Sequence, residues 1–363
     1  MGPETDRRQF LMLAAGGVLA ALRPPLPTPA RRIGILAPPP ALRDAAIRDA
    51  LQGLQLGREE AARTALLFGR EVAFVEADAE PGDMTSAANR LVDQGADALI
   101  AALPASASRQ VAAVAAAAKR VCVHLVAPAP DAARDAHQPS WNFYLAPSTA
   151  ARADAVLRAL HESPAMRRLP RVLLAAGTDA VAAATRADAT VAAALSASPL
   201  LTSAPGDVES RGAAALVVFA AYDAADARRL LDQAGGRSFP GLVADLFGST
   251  EQLERSVLPA RLVRADAWSP DLVRFGAAQL NDRFRARFGA GAEMRGPAWA
   301  GWFAAKIVVE ATLRARAQDA AALAEVLRVA RFDGHQGKPL AFAPGGELLP
   351  PLHIAGSLES GGS

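Results

Sequence analysis

The 363-residue sequence is poor in several residue types that carry chemistry: it has one cysteine, two tyrosines, four tryptophans and five histidines. A single cysteine forms no internal disulfide. Cys122 lies in the apolar run VCVHLVA, which predicts a buried structural thiol. The formal net charge is +2 and no long basic run exists, so nucleic acid is a poor candidate partner.

Catalytic and metal-binding motifs are also lacking. The sequence has no GxSxG, HExxH, CxxC or GxGxxG, and its histidines show no metal-ligand spacing. His124 sits inside an apolar run, which favours a hydrogen-bonded core residue. The segment GHQGK at Gly334–Lys338 has no four-residue gap between its glycines and is followed by Pro339, which predicts a turn. We therefore expect neither an enzyme nor a catalytic cofactor or metal.

No apolar run is long enough to span a membrane. The run Phe10–Leu22 is shorter than the roughly 20 residues that a spanning helix needs. It follows Arg7-Arg8 in TDRRQFLM, and PPLPTPA comes after it. This order predicts an export signal of the twin-arginine type over residues 1–30 and a periplasmic mature protein without a membrane span. The alternative is a flexible basic N-terminus.

What the sequence does contain is a regular alternation of strand and helix patterns. RIGILA, EVAFVEA, ADALIAAL and VCVHLVAP alternate with helical periodicities, and RVLLAA, AALVVFA, GLVADLF and ARLVRAD continue the pattern. Strands that are apolar throughout indicate parallel sheets covered on both faces. Three long helical patterns and a hairpin around Gly345-Gly346 follow. The prediction is an α/β protein of two Rossmann-like lobes with parallel sheets, with a ligand cleft at the carboxyl ends of the strands.

This order resembles the type I periplasmic binding proteins of ABC transporters, nearest to the branched-chain amino-acid receptors. The resemblance rests on GLQLGREEAARTA, RLVDQGADALIAALPASAS, HLVAPAPDAARD, NFYLAPSTAARADAV and RFDGHQGKPLAFAPGGELLPPLHI. It implies one lobe from residues 31–146 and 269–332, a second from 147–268 and 333–356, a flexible tail at 357–363, and three crossovers between the lobes. It also implies hinge closure on a small ligand and docking on an inner-membrane ABC permease.

A narrower resemblance is carried by AWSPDLVRFGAAQLNDRFRARFG, PAWAGWFAAKIVVEA and FDGHQGKPLAF. These stretches are similar to a subgroup associated with quinoprotein alcohol oxidation. The similarity implies pyrroloquinoline quinone, or a molecule linked to that chemistry, as a ligand and not as a catalytic cofactor. It also implies a quinoprotein dehydrogenase system as a partner.

The expected ligand site departs from that of the amino-acid receptors, which hold the ligand carboxylate with hydroxyls and backbone N–H groups after the third and fourth strands. Here those places read LPAS at 103–106 and APAPD at 127–131, with few hydroxyls, prolines that have no N–H, and one acid. We therefore expect poor binding of branched-chain amino acids and a flat or aromatic ligand stacked on aromatic side chains. Arginines, Arg152 among them, would neutralise a carboxylate. The predicted ligand contacts are Pro104, Ser106, Ala129, Asp131, Tyr144, Tyr222, Asp245, Trp268, Arg109 and Arg134.

The predicted function is capture of a small ligand by hinge closure and its presentation to an ABC transporter. Two alternatives stay open on the sequence. One is a ligand sensor or cofactor carrier of the same fold without transport. The other is an ordinary amino-acid-binding receptor.

Overall fold

The computed structural model describes residues 31–80, 82–128, 140–163, 172–176, 216–221, 223–239, 241–316 and 319–356. The predicted export signal, residues 1–30, lies outside them. Within the described residues two five-stranded sheets are flanked by helices, so the α/β class and the two-lobe arrangement are confirmed.

The first sheet has the strand order β2-β1-β3-β4-β5 and is parallel throughout, as predicted. Its strands are β1 (Arg31–Ala37), β2 (Val72–Asp78), β3 (Ala98–Ala101), β4 (Val121–Pro128) and β5 (Asn142–Ala146). The central strands are apolar because helices cover both faces. The apolar pattern had not singled out β5, a short edge strand that begins at a polar residue.

In the described part of the chain, six helices pack on this sheet: α1 (Ala45–Leu67), α2 (Met84–Asp93), α3 (Ala105–Ala117), and, from later in the chain, α6 (Ala277–Phe288), α7 (Gly296–Arg314) and α8 (Ala320–Val329). The backbones of helices α1 and α7 pack directly against each other. A Cβ on Gly53 would lie 1.7 Å from the carbonyl oxygen of Ala298, and one on Gly301 would lie 1.9 Å from that of Ala50. The two glycines therefore set how closely these helices approach.

Helix α6 starts later than the sequence pattern predicts. Helical periodicity begins at Pro270, whereas the helix begins at Ala277. Phe275 and Gly276 have φ angles of 59° and 84°, which no right-handed helix accommodates. The segment before Ala277 is instead an irregular stretch of the first lobe, with Leu272 packed against its core.

The second lobe is built on the order β12-β9-β8-β7-β6. Its elements are α4 (Thr149–Glu162), β6 (Val172–Ala176), β7 (Leu216–Ala220), α5 (Ala224–Ala234), β8 (Leu242–Asp245), β9 (Leu262–Asp266) and β12 (His353–Ala355). Strand β12 runs antiparallel to β9, so this sheet is mixed rather than purely parallel. The pattern TDAVAAATRADATVAAALSA predicts a further helix over residues 178–197, which lie outside the described residues.

The connections between the lobes differ from the expected boundaries at two places. The first passes from β5 to α4 at residues 147–148, as expected. The second begins directly after β9, because Ala267 and Trp268 already belong to the core of the first lobe. The third connection follows Leu348. Before it, β10 (Phe332–Asp333) pairs with β11 (Pro339–Leu340), and Phe342 and Leu348 are buried in the core of the first lobe. Residues 334–348 therefore pack with the first lobe and not the second.

Candidate functional site

The first part of the site is the start of α3, at the carboxyl end of β3. Pro104 is the N-cap residue of α3 and supplies no side-chain hydrogen bond to it. The backbone N–H groups of the first turn are therefore left without a capping side chain, an arrangement that suits an anion. Pro104, Ser106 and Arg109 are all exposed there. Side-chain hydroxyls are scarce at this place, as the sequence indicated, but backbone donors are present.

The second part of the site is Tyr144 on β5. Its ring stacks on the imidazole of His124 on β4, with a centroid distance of 4.5 Å and an interplanar angle of 12°. The two residues are register partners on neighbouring parallel strands. Tyr144 is 5% exposed, and its backbone pairs with Gly346 and Leu348 of the closing segment. Its position in the sheet is therefore fixed from both sides.

His124 is held by two side chains. Its Nδ1 lies 2.5 Å from Ser108 Oγ on α3, and its Nε2 lies 3.1 Å from Asn142 Oδ1 on β5. Asn142 Nδ2 donates to the carbonyl oxygen of Ala112 at 3.1 Å. We call Ser108, His124 and Asn142 the imidazole network. The expectation that His124 is a hydrogen-bonded core residue is confirmed.

Tyr144 and its buried neighbours His124 and Cys122 are uncharged at neutral pH. Burial lowers the pKa of His124 to about 4. Burial, with a smaller contribution from Cys122, raises the pKa of Tyr144 to about 12. Burial likewise raises the pKa of the Cys122 thiol, which is fully buried as predicted. The stacked pair in this wall of the first lobe is thus neutral.

Two predicted contacts have structural roles in this conformation. Asp245, at the end of β8, accepts from the backbone N–H groups of Phe247, Gly248 and Thr250 and from the Thr250 hydroxyl at 2.7–3.1 Å. Both of its carboxylate oxygens are thereby used within its own loop. Trp268 is 1% exposed, stacks on Trp299, and donates its indole N–H to Asn281 Oδ1 at 3.1 Å. Their ligand roles stay predictions.

The remaining predicted contacts divide in two. Ala129, Asp131, Arg134 and Tyr222 lie outside the described residues. Arg152, considered as a ligand for carboxylates, is 6% exposed and forms a bidentate pair with Glu251 at 2.8 and 3.0 Å. Its guanidinium is therefore committed to a protein carboxylate and not displayed to a ligand.

A second buried polar group, which the sequence analysis missed, lies at the boundary between the lobes. It consists of Arg152, Glu251, Arg264 and Asp266, which we call the boundary cluster; all are buried. Asp266 Oδ2 accepts from the N–H of Gly296, the first residue of α7, at 3.2 Å. Asp266 Oδ1 and Arg264 Nε have no hydrogen-bond partner. The cluster thus joins the end of β9 to the start of a first-lobe helix.

Electrostatics in the boundary cluster move the pKa of Asp266 into the neutral range. Burial and the nearby Glu251 raise the pKa of Asp266 to about 7, against the lowering effect of Arg264 and Arg152. The pKa of Glu251 itself is lowered, because the attraction of its arginine partners outweighs its burial. A signal for the cluster exists in the sequence: ARLVRAD carries Arg264 and Asp266 two residues apart on one face of a strand that is otherwise apolar.

Ion pairs on the surface also cross between the lobes. Arg48 in the first turn of α1 pairs with Glu254, and Arg255 pairs with Glu293, which precedes α7. The N-terminal ends of α1 and α7 therefore face the loops that follow β8. Within the described part of the chain, no group of three or more His, Cys, Asp or Glu residues is placed to hold a metal ion, and no helix has the length and apolarity to cross a membrane.

Comparison with known proteins assigns the family. A family model described as periplasmic binding protein matches residues 31–361, so the chain belongs to this family. Its members are substrate-binding proteins and not enzymes, and they deliver small ligands to ABC transporters in the periplasm. A search of curated protein sequences gives no match.

Solved structures share the fold at low sequence identity. The branched-chain amino acid transporter substrate-binding protein of Streptococcus pneumoniae, in complex with isoleucine, is 16% identical with a TM-score of 0.68; the alignment covers 90% of this chain and 96% of that one. A solute-binding protein of R. palustris in complex with benzoate is 17% identical, with a TM-score of 0.67 and coverages of 90% and 92%. Another, from Rhodopseudomonas palustris BisB5 with 3,4-dihydroxybenzoic acid, is 12% identical, with a TM-score of 0.69 and coverages of 92% and 94%.

Proposed function

We propose that this protein is the substrate-binding component of an ABC transporter and that its ligand is a small, flat aromatic acid. The observation that carries the proposal is that α3, whose N-terminus has no capping side chain, bonds through Ser108 to the same imidazole on which Tyr144 stacks. An aromatic face offers stacking to a planar ring. Backbone N–H groups at a helix start offer hydrogen bonds to a carboxylate.

The two features are linked through α3. Ser108, which bonds His124, lies three residues after Ala105, the first residue of α3, or about 4.5 Å along the helix axis at the usual rise of 1.5 Å per residue. Structures of the same fold that hold benzoate and 3,4-dihydroxybenzoic acid support this ligand class.

Within this class, pyrroloquinoline quinone is the specific candidate that the narrower sequence resemblance supports, with export by the twin-arginine route and a link to a quinoprotein dehydrogenase. It is flat and carries several carboxylates. Those carboxylates need cationic partners, and because Arg152 is committed to Glu251, the exposed Arg109 and the predicted Arg134 would have to supply them.

The test is isothermal titration of the full-length protein with benzoate, 3,4-dihydroxybenzoate, pyrroloquinoline quinone and leucine. We expect saturable binding of at least one aromatic acid and weaker binding of leucine. Tyr144→Ala should abolish the aromatic binding, whereas Tyr144→Phe, which keeps the ring, should retain most of it.

Tight leucine binding without binding of any aromatic acid would contradict the proposal and return the protein to the amino-acid receptors, as the isoleucine-bound relative of the same fold would suggest. A ligand sensor without a transporter would show the same titrations. Transport and sensing are distinguished by whether the ligand-loaded protein stimulates the ATPase activity of a reconstituted ABC transporter.

A further inference from the structure

The hydrogen bonds of the imidazole network have only one consistent direction. Asn142 Nδ2 donates to the carbonyl oxygen of Ala112, so Asn142 Oδ1 is the acceptor that faces His124. His124 Nε2 must then carry the proton, and His124 Nδ1 must accept from the hydroxyl of Ser108. With every polar atom committed, the imidazole plane has a single orientation.

The network connects three elements at one level of the sheet. Ser108 belongs to α3, His124 to β4 and Asn142 to β5. The same imidazole carries the ring of Tyr144 on its face. An apolar side chain at position 124 would fill the space without the desolvation cost of three polar groups, so packing alone does not explain the network. A satisfied polar network specifies one arrangement where apolar packing allows several.

We propose that Ser108, His124 and Asn142 are positioning residues, which fix the ring of Tyr144 relative to the first turn of α3 so that both can contact a flat ligand at once. The inference rests on the proposed function, because it takes Tyr144 and the start of α3 as the two halves of the ligand site. The network acts through Tyr144, because Ser108 and His124 bond each other and the imidazole carries the tyrosine ring.

The first experiment needs no ligand. The chain has only two tyrosines, so 3-fluorotyrosine labelling of the full-length protein gives two 19F resonances, and Tyr144→Phe assigns one of them. In the wild type we expect a single sharp Tyr144 resonance, shifted by the imidazole ring beneath it. Ser108→Ala and Asn142→Ala, which release the imidazole from opposite sides, should shift and broaden that resonance.

A matched control is Thr312→Val. This buried hydroxyl donates to the carbonyl oxygen of Val309 within α7, at 2.6 Å, and is not part of the imidazole network. Thr312→Val should lower the melting temperature without moving the Tyr144 resonance. A resonance that stays unchanged in both network variants would overturn the positioning role, whatever ligand the protein binds.

The second experiment measures binding in a double-mutant cycle with whichever aromatic acid binds the wild type. Ser108→Ala should weaken its binding about tenfold, within the range for coupled neighbours, and should have no further effect in a Tyr144→Ala background. An equal effect in both backgrounds would show that Ser108 acts on stability alone and would overturn the proposal. Failure of Tyr144→Ala to alter binding, with the resonance shifted as expected, would instead contradict the proposed ligand site.

Discussion

The two buried polar groups of this protein are built in opposite ways. The imidazole network lies within the first lobe, is uncharged at neutral pH, and has no buried polar atom without a partner. The boundary cluster lies where the lobes meet and combines charged side chains, two of which each leave one buried polar atom unpartnered, Asp266 Oδ1 and Arg264 Nε. One is a satisfied set of neutral hydrogen bonds, and the other is an incompletely satisfied set of charges.

The difference is instructive for a protein expected to close about a hinge. A satisfied neutral network resists any change of geometry, which suits a surface that must present a ring in one orientation. Charges buried at a boundary are held at a desolvation cost, and contacts such as Asp266 to Gly296 join groups of different lobes. Such contacts can change when the lobes move. We therefore expect the imidazole network to be rigid and the boundary cluster to be coupled to lobe movement.

The largest effect should come from breaking the charged pair. Arg152→Met leaves Glu251 buried without its bidentate partner, and the loss of one member of a buried pair costs about 3–5 kcal/mol. Urea denaturation should show this decrease in the free energy of unfolding. Arg152→Met combined with Glu251→Met should recover part of it, because no unpaired charge remains.

The control for that comparison is Arg228→Met on α5, which breaks an exposed pair with Asp232. Its expected effect is about 0.5 kcal/mol or less. Equal effects of Arg152→Met and Arg228→Met would show that the boundary cluster is hydrated in solution and would remove the contrast between the two buried groups.

The second prediction concerns the pH dependence of stability. The pKa of Asp266 is raised to about 7 in the folded protein, against about 3.9 in an unfolded chain. Between these values the folded state binds the proton and the unfolded state does not, so the contribution of Asp266 to the free energy of unfolding falls as the pH rises from about 4 to 7. Above pH 7 the carboxylate is ionised in both states, and the full cost of burying its charge is subtracted from the free energy of unfolding.

Asp266→Asn should remove this pH-dependent contribution to the free energy of unfolding. Denaturation of wild type and variant at pH 5 and pH 8 gives the difference in that free energy, from which the contributions of other titrating groups cancel. Relative to the wild type, the variant should gain on the order of 2 kcal/mol between pH 5 and pH 8, because each pKa unit corresponds to about 1.4 kcal/mol. The arginines lose part of a counter-charge in the variant, which reduces this gain. A difference that is the same at both pH values would mean that the pKa of Asp266 is not raised into this range and would contradict the prediction.

The third prediction tests the neutral group. Ser108→Ala removes the donor to His124 Nδ1 and leaves a buried acceptor unsatisfied, which costs about 1–2 kcal/mol. This is less than the expected loss for Arg152→Met, because no charge is stranded. Thermal denaturation next to Thr312→Val gives the measurement, and a loss above that of Arg152→Met would reverse the ranking of the two groups.

The fold was largely predictable from sequence, and the failures have local causes. Long apolar runs in β1, β4 and the helix patterns of α1 and α7 gave elements that the structure confirms within a few residues. The short strand β5 and the start of α6 were not predicted, the first because its run is brief and the second because Phe275 and Gly276 adopt positive φ angles. Periodicity carries no information on either.

The site was less predictable, because its contacts join distant positions. The sequence indicated Tyr144 and the scarcity of hydroxyls after β3. It did not indicate that Ser108, in an alanine-rich helix, would meet His124, since that contact depends on the register of α3 against the sheet. Arg152 appeared free in the sequence because Glu251, its partner, is 99 residues away. Pairing across such separations is decided by tertiary packing.

The smallest expected effect is at the surface of the lobe boundary. Arg48 and Glu254 belong to different lobes, and their side chains are 45% and 63% exposed. Solvent and salt screen such a pair, so Arg48→Glu should lower the free energy of unfolding by about 0.5 kcal/mol in dilute buffer and by less in 1 M salt. Arg48→Glu with Glu254→Arg should restore it.

Because the pair bridges the lobes, small-angle scattering of Arg48→Glu should show whether the lobes separate. An unchanged radius of gyration would assign the arrangement of the lobes to the buried cluster, whereas an increase would show that even a weak exposed pair contributes to holding them together.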